Sequence, residues 1–480
     1  MRKGEVATAG PETPLADLLR LAEWGPRQWV TAINSRLSSQ GRDRLRLDPT
    51  AGYSWVRRGF RPRPPIPEIA AAVLTERLGY TVTVSHLWPG RQEAGALARG
   101  AASDLEGLTS VDGLIHELNQ LSTTAATPQS PIMGASGPDL TIAVLDQLSA
   151  AVVTARHRAG HDRVLADQVG LISSHVTALR RLDDKHGGGA LSLRYVTAEL
   201  RSVADLVQYA SYDRDTGERL LTIVADLAQL LGWLSFDSSR YGAAERYLLL
   251  SLGISRALGV RDRAANAIGM LSYVSASAGH GPEAVRLAEA AARECGRCDP
   301  ILRARLLGRE ATAAAADGDV ARFRRQSQEA AVLLERHATR SAPSFLYYLT
   351  PDQLNAEAGL ALVLLAERTT TSRSRLLAEA IPALNGAVTA LAAPEPASGT
   401  PAYPRSALLH ATYLARACLL RGDLEPAVEA MRTSLSLLVH VQSPRSRSYL
   451  HALRPALAKR SRSLIVREFL DEFDEASSPV

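Results

Sequence analysis

Four arginines lie close together in the stretch DPTAGYSWVRRGFRPRPP, which runs from Asp48 to Pro65. A guanidinium group is planar and always charged, and its N–H donors match phosphate oxygens and the edge of guanine. The stretch therefore fits a contact with nucleic acid, and its basic members are Arg57, Arg58, Arg61 and Arg63. The alternative interpretation is a surface linker of arginine and proline that follows a structural helix.

The same stretch predicts a short helix with marked ends. Asp48 is a good N-cap residue, because its carboxylate can accept hydrogen bonds from the free N–H groups of the first turn. Tyr53 and Trp55 give this helix a bulky apolar side. Gly59 suits the left-handed residue that ends a helix, and the prolines after it keep the chain extended. We therefore expect the arginines at the C-terminal end of a small helix and just beyond it.

Two further groups carry side chains that bind metals or undergo redox chemistry. Cys295 and Cys298 form a C-x-x-C, but the chain has three cysteines in all and shows no second pair. Structural zinc normally needs four ligands, and a redox C-x-x-C belongs near a βαβ pattern. A second group falls at a predicted helix end that is stopped by glycines: His175, Asp183, Asp184 and His186. We interpret it as a polar helix end, and we expect neither a metal site nor a cofactor.

Sequence motifs of enzymes give no support for catalysis. The chain contains no G-x-x-x-x-G-K-[ST], G-x-G-x-x-G, H-E-x-x-H or G-x-S-x-G. We therefore assign no catalytic residue and expect a protein that is not an enzyme.

Length and composition limit the architecture and the compartment. A chain of 480 residues with 46% hydrophobic residues is too long for one ordinary core, so it predicts several domains or a repeat array. Alanine, leucine and arginine dominate, which favours helices. Residues 1–13 lack the apolar region of a signal peptide, and no apolar run approaches the roughly 18 residues of a membrane span. With few cysteines, these features predict a cytoplasmic protein without a membrane partner.

The basic charge is confined to the first fifth of the chain. Residues 1–91 hold 14 Lys and Arg against 8 Asp and Glu, whereas residues 92–480 hold 41 against 42. A local basic field suits double-stranded DNA, with an anionic membrane surface as the second choice. Helices that lie on membranes usually carry one basic face opposite an apolar one, and we do not find that pattern here.

Helical spacing predicts four or five short helices in residues 10–91. Their order, with the motif T-x-x-x-x-W-x-R-R-G from Thr50 to Gly59 and then R-P-R-P-P, resembles the lambda-repressor-like (XRE/Cro-C1) helix-turn-helix module. More narrowly, it is similar to the N-terminus of actinobacterial regulators that join such a module to tetratricopeptide repeats. The best-known members repress sporulation and antibiotic production.

The resemblance implies which residues meet DNA. In helix-turn-helix proteins the first residues of the recognition helix touch bases. By this resemblance Trp55 belongs to the core, and Thr50, Ala51, Gly52 and Tyr53 face bases. Phosphates or a minor groove are contacted by Arg57, Arg58, Arg61 and Arg63. Residues 38–47 make a longer connection than the usual turn, and their Arg42, Arg44 and Arg46 are either a phosphate-binding wing or solvated charges.

Small residues recur at offsets of twelve and then seven in the second half of the chain. The sets are Gly232/Ala244/Ser251, Ser272/Ala284/Ala291, Ala311/Phe323/Ala330 and Ala415/Ala427/Ser434, with turn residues in phase at Ser239, Gly279, Gly318 and Gly422. Close helix pairs repeated about every forty residues resemble tetratricopeptide repeats. We expect an all-α protein with a flexible linker and a short helix at 92–138, an irregular helical segment at 139–222, and a TPR-like α-solenoid at 223–475. The solenoid holds five pairs, and 447–475 forms a terminal capping helix.

Together these features predict a DNA-binding transcriptional regulator, nucleoid-associated when bound. The resemblance implies repression of development and secondary metabolism, and a solenoid that dimerises or senses a peptide, protein or small-molecule effector. Among the aromatic residues of the solenoid, the best candidates for a ligand groove are Phe345, Tyr347 and Tyr348. The alternative is a protein-interaction scaffold whose N-terminal domain is structural and does not bind DNA.

Overall fold

The computed structural model describes residues 15, 18–19, 22, 24–39, 42–63, 65–78, 82, 84–88, 110–125, 138–149, 162–187, 189–369, 372–394 and 401–477. The fold is all-α, as expected. Contacts divide the chain into two compact units, one made of residues 1–104 and 123–133 and the other of residues 105–122 and 134–480.

The first unit is built on a core of three tryptophans. Its helices are α1 (Pro26–Ser39), α2 (Ala51–Arg58), α3 (Ile66–Leu78) and the short α4 (Val84–Leu87). The Trp29 ring lies 5.6 Å from that of Trp55 and 6.1 Å from that of Trp88, measured between centroids. Such aromatic pairs stabilise a core beyond the area they bury. The apolar face predicted for α1 is confirmed, because Trp29, Val30, Ile33 and Leu37 are all buried.

The second unit begins with four helices and continues as helix pairs. The first four are α5 (Val111–Ala125), α6 (Pro138–Ser149), α7 (Ala166–His186) and α8 (Ala190–Tyr209). The pairs are α9 (Arg214–Asp237) with α10 (Tyr241–Ala257), α11 (Arg261–Ser277) with α12 (Gly281–Cys295), α13 (Pro300–Asp317) with α14 (Val320–Arg336), α15 (Pro351–Arg368) with α16 (Arg373–Leu391), α17 (Pro404–Arg421) with α18 (Leu424–Leu437), and α19 (Pro444–Ala458) with α20 (Leu464–Ser477).

The repeat pattern read from the sequence is confirmed at the turns and at the helix contacts. The four predicted turn residues all adopt positive φ, with 61° at Ser239, 88° at Gly279, 91° at Gly318 and 96° at Gly422. The predicted small residues lie where paired helices meet. A β-carbon at Gly232, for example, would lie 2.7 Å from Leu248 Cγ on the facing helix.

The first helices of the six pairs form a closed ring. From α9 through α11, α13, α15 and α17 to α19, each helix packs against the next, and α19 packs back against α9. A solenoid curves because each repeat is rotated slightly against its neighbour. Here the rotations bring the last pair onto the first. The first and last pairs are therefore in contact, which they would not be in an open solenoid.

The packing adds detail to the expected division of the chain. The short helix expected within 92–138 is α5, most of which belongs to the second unit, where Glu117 pairs with Arg246 of α10 at 3.6 Å. In the described part of 139–222, α7 packs against α9 and α17. The C-terminal segment is a sixth helix pair, where a single capping helix was predicted. Among the described residues, α9 is the one helix long and apolar enough to cross a membrane. Most of it is buried inside the protein.

Candidate functional site

Side-chain hydrogen bonds fix the chain immediately before α2. Asn34 of α1 binds both backbone groups of Leu47, accepting from its N–H at 2.8 Å and donating to its carbonyl at 2.9 Å. Asp48 accepts from the backbone N–H of Thr50 at 2.7 Å and from its hydroxyl at 2.6 Å. These bonds from Thr50 lower the pKa of Asp48. The predicted N-cap role of Asp48 is therefore wrong: the helix begins three residues later, at Ala51, and Thr50 is its N-cap residue.

The residues predicted to contact DNA fall into three groups. Thr50, Tyr53, Arg61 and Arg63 are exposed, whereas Ala51 is half-buried against the tryptophan core. The side chains of Arg57 and Arg58 lie outside the described part of the structure, although their backbone completes α2. The predicted core position of Trp55 is confirmed, and so is the end of the helix, where Gly59 has φ 63°.

The expectation that Gly52 faces bases is wrong. The residue is buried where α2 crosses the start of α1. A β-carbon there would lie 2.6 Å from the carbonyl oxygen of Pro26 and 3.0 Å from Val30 Cγ2. Glycine is therefore needed for the approach of two helices, and no backbone surface is left there for DNA.

Exposed arginines and aromatic residues lie in α2 and in the segments before and after it. The segment after α2 is held to the core, because Trp88 Nε1 donates to the carbonyl of Phe60 at 3.0 Å. The connection before α2 carries three exposed arginines, which lie N-terminal to Leu47, the residue that Asn34 binds. We call the following exposed set the basic surface: Arg42, Arg44, Arg46, Thr50, Tyr53, Phe60, Arg61 and Arg63. Its guanidiniums can bind phosphates, and its rings can contact bases or sugars.

Comparison with protein families gives a match to the first unit. Residues 15–87 are similar to the SP15 N-terminal domain. The match spans the first unit from Leu15 to the end of α4 and leaves the helix pairs uncovered. A comparison with curated proteins found no match.

The interior of the ring in the second unit contains a buried network of charges. Arg305 of α13 donates to Glu357 of α15 through Nη1 at 3.1 Å and also through Nη2, and Gln353 donates to the same carboxylate at 3.2 Å. Burial alone would raise the pKa of Glu357, but Arg305 and Arg309 outweigh it and lower the pKa to about 2. This carboxylate therefore stays charged inside the protein.

A second part of the network joins α7 to α17. Arg405 lies 3.2 Å from a carboxylate oxygen of Asp183 and 2.9 Å from one of Asp184, and the hydroxyl of Tyr347 donates to Asp184. Burial raises the pKa of Asp183 to about 7 against the opposing effect of Arg405. Burial raises the pKa of Asp184 as well. One guanidinium thus serves two adjacent carboxylates.

A third contact closes the ring between its first and last pairs. Ser443 donates to Asp237 of α9 at 3.0 Å, and Arg445 of α19 lies 3.4 Å from the same carboxylate oxygen. The Trp233 ring lies between these groups, with the guanidinium carbons of Arg405 and Arg445 at 5.2 Å and 5.7 Å from its centroid. Cation–π contacts add to the ion pairs here.

A cavity of about 70 Å³ lies within this network. Phe345, Tyr347 and Tyr348, the groove candidates from the sequence, line it together. Sequence reasoning missed the charged residues beside them, above all Arg309, Glu357 and Arg405. These residues could have been found because they are charged residues on the inner face of predicted repeat helices, where apolar residues are the rule.

The other candidate groups take structural roles in the described residues. Cys295 and Cys298 form a disulfide at the end of α12, with Cα atoms 5.2 Å apart. Asp183 and Asp184 bind Arg405, while His175 lies 3.3 Å from Glu199. The part of the chain that the structure describes contains no group of three or more His, Cys, Asp or Glu placed to hold a metal ion.

Proposed function

We propose that this protein is a DNA-binding transcriptional regulator whose ring of helix pairs senses an effector. The observation that carries the proposal is the basic surface, a set of exposed arginines and rings in and beside a short helix whose Trp55 packs against two other tryptophans. Phosphate contacts from such arginines would set the position on the duplex, and Tyr53 and Thr50 would be placed to read bases. A rigid core favours this role, because recognition requires side chains held in fixed positions.

The distribution of charge supports the same proposal. The basic excess of the chain is confined to residues 1–91, the part that carries the basic surface. A protein-interaction scaffold would not need this excess. The closed ring also disfavours a scaffold that holds extended segments in an open groove. Repression of development and secondary metabolism, and action as a dimer on half-sites about one helical turn apart, are what the resemblance implies.

The experiment is selection of genomic DNA fragments by the purified full-length protein. We expect the wild type to enrich a shared motif with dyad symmetry, and Arg61→Ala/Arg63→Ala to lose most of that enrichment. The matched control is Arg460→Ala/Arg462→Ala, which removes two exposed arginines at the same spacing from the second unit. No enrichment by the wild type, or equal losses in both variants, would contradict the proposal.

The salt dependence of binding provides a second test of the basic surface. Each arginine that neutralises a phosphate releases counterions, so its loss should reduce the slope of log affinity against log salt by about 1. We therefore expect a slope reduced by about 2 in Arg61→Ala/Arg63→Ala and an unchanged slope in the control variant. The measurement is fluorescence anisotropy of a selected duplex at several salt concentrations. An unchanged slope would remove these arginines from the interface.

A further inference from the structure

The cavity inside the ring brings opposite charges to separate walls. One wall contains Arg309 of α13, and another contains Asp183 and Asp184 of α7. Trp233 lies between them, with the guanidinium carbons of both Arg309 and Arg405 within 6.0 Å of its ring centroid. Arg309 lies 3.6 Å from its nearest carboxylate, and Asp183 and Asp184 share one guanidinium, that of Arg405.

The positive wall has a guanidinium without a hydrogen-bond partner of its own. Arg309 is 4% exposed, and its Nη1 makes no hydrogen bond. The nearest carboxylate, Glu357, is 3.6 Å away and already accepts two hydrogen bonds from Arg305. Burial, and then the charge of Arg305, lower the pKa of Arg309. A buried donor of this kind normally has a partner, so Arg309 Nη1 is available to a ligand anion.

The negative wall is the reverse case. Asp183 and Asp184 share Arg405, because Arg180, the other arginine on this wall, pairs with Asp226 at 3.3 Å. Burial raises the pKa of both carboxyl groups, and a ligand cation beside them would favour their charged forms.

The cavity also offers a neutral acceptor and a limited volume. Gln229 donates through Nε2 to the sulfur of Met270 at 3.0 Å, and its carbonyl oxygen has no hydrogen-bond partner. One water needs roughly 10–15 Å³ of such space, so about 70 Å³ holds a molecule of about five or six non-hydrogen atoms. An extended peptide does not fit.

We propose that this cavity binds a small zwitterion of amino-acid size. Its carboxylate would lie against Arg309, its ammonium group against Asp183 and Asp184, and its carbon chain over Trp233. Such a ligand would contact Arg309 and the two carboxylates at once, which neither a simple anion nor a simple amine can do. The proposal rests on the proposed regulator only for the consequence of binding, since the site itself needs no DNA.

The first test is calorimetric titration of the full-length protein at pH 7. The probes are glycine, L-alanine, β-alanine and γ-aminobutyrate, which differ in size and in the separation of their charges. Acetate and methylamine each carry one of the two charges and are the controls. We expect at least one zwitterion to bind, and both controls to bind at least about tenfold more weakly, because each forgoes one set of charged hydrogen bonds. Binding by none of the zwitterions, or equal binding of acetate, would overturn the proposal.

The second test locates the site. Arg309→Gln should weaken binding by about tenfold or more, whereas Arg309→Lys, which keeps the charge, should retain part of it. Arg324→Gln is the control, because Arg324 binds Glu379 at 2.7 Å on the exposed side and does not line the cavity. Undiminished binding by a folded Arg309→Gln would place the ligand elsewhere and overturn the proposal. If that variant does not fold, the comparison of zwitterions with single ions on the wild type decides.

The two proposals fail separately. Titration without DNA tests the cavity alone, so a negative result leaves the enrichment of DNA fragments unaffected. Equally, a protein that binds zwitterions and selects no DNA would retain the cavity proposal and lose the regulator.

Discussion

Asp183 is a buried carboxyl group whose protonation is linked to folding. Its pKa is raised from 3.8 to about 7 by burial, while Arg405 and Arg445 oppose the shift and Asp184 and Asp237 add to it. The folded state binds this proton more tightly than the unfolded state does. The contribution of the protonated Asp183 to the free energy of unfolding is therefore fully present below pH 3.8 and is lost as the pH rises through about 7.

Thermal unfolding between pH 5 and 8 tests this linkage. We expect the wild-type protein to lose stability across this range, by up to about 3 kcal/mol from Asp183, and Asp183→Asn to show a flatter profile. Asp471→Asn, which removes an exposed carboxylate, should keep the wild-type slope. An equal slope in Asp183→Asn would mean that another group titrates.

Gly52 is a position where one methyl group should decide the stability of the first unit. Alanine favours a helix by up to about 1 kcal/mol, but overpacking against the Pro26 carbonyl typically costs about 1–3 kcal/mol. We expect Gly52→Ala to be destabilising. Four of the five tryptophans are Trp24, Trp29, Trp55 and Trp88, so tryptophan fluorescence in urea reports mainly on this unit.

Gly386 supplies the opposite control. It lies in α16, and a β-carbon there would meet nothing within 4 Å. Gly386→Ala should therefore stabilise the second unit by up to about 1 kcal/mol, measured by circular dichroism. Equal effects of the two substitutions would show that the contact at Gly52 has little energetic weight.

At the scale of elements, the turn between α9 and α10 is the exception among the repeats. Ser239 adopts φ 61° in a position where three other pairs have glycine. The left-handed conformation costs a residue with a β-carbon about 1–2 kcal/mol, partly offset by the greater chain entropy of glycine in the unfolded state. We expect Ser239→Gly to raise the midpoint of chemical unfolding.

Gly279→Ser is the reciprocal substitution. The φ of Gly279 is 88°, and a β-carbon there would meet nothing within 4 Å. The substitution should therefore change stability only through the energy of the left-handed backbone conformation. It should be destabilising by about the amount that Ser239→Gly is stabilising. Effects of the same sign would contradict the assigned turn geometry.

For the whole molecule, ring closure should couple segments far apart in sequence. Removing one partner of a buried ion pair typically costs about 3–5 kcal/mol. We expect Arg405→Met to increase amide hydrogen exchange in α7, which lies more than 200 residues away in sequence.

The exposed pair between Arg432 and Glu472 provides the control. Arg432→Met removes an arginine of α18 that is bound to Glu472 at 2.7 Å, and it should change exchange only near α18 and α20. If Arg405→Met affected only α16 to α18, the ends of the unit would be independent, as in an open solenoid.

Local pattern was sufficient for the fold class, for the four repeat sets and for their turns. The spacing of Trp29, Val30, Ile33 and Leu37 gave the buried face of α1, because a helix returns to the same face every three or four residues. Small residues marked the helix contacts, and Ser239, Gly279, Gly318 and Gly422 marked the turns, since positive φ is a property of one residue. The exposed arginines of the candidate DNA interface were also visible in the sequence.

The sequence by itself therefore determined an all-α chain of a small basic unit and repeated helix pairs. Tertiary structure alone decided that Gly52 is buried, that α5 joins the second unit, and that the ring closes. Closure depends on the sum of small rotations between six helix pairs, and no short stretch of the sequence determines that sum. The same closure brings Asp183 and Asp184 to Arg405, and so creates a charged cavity from residues that look unrelated in the sequence.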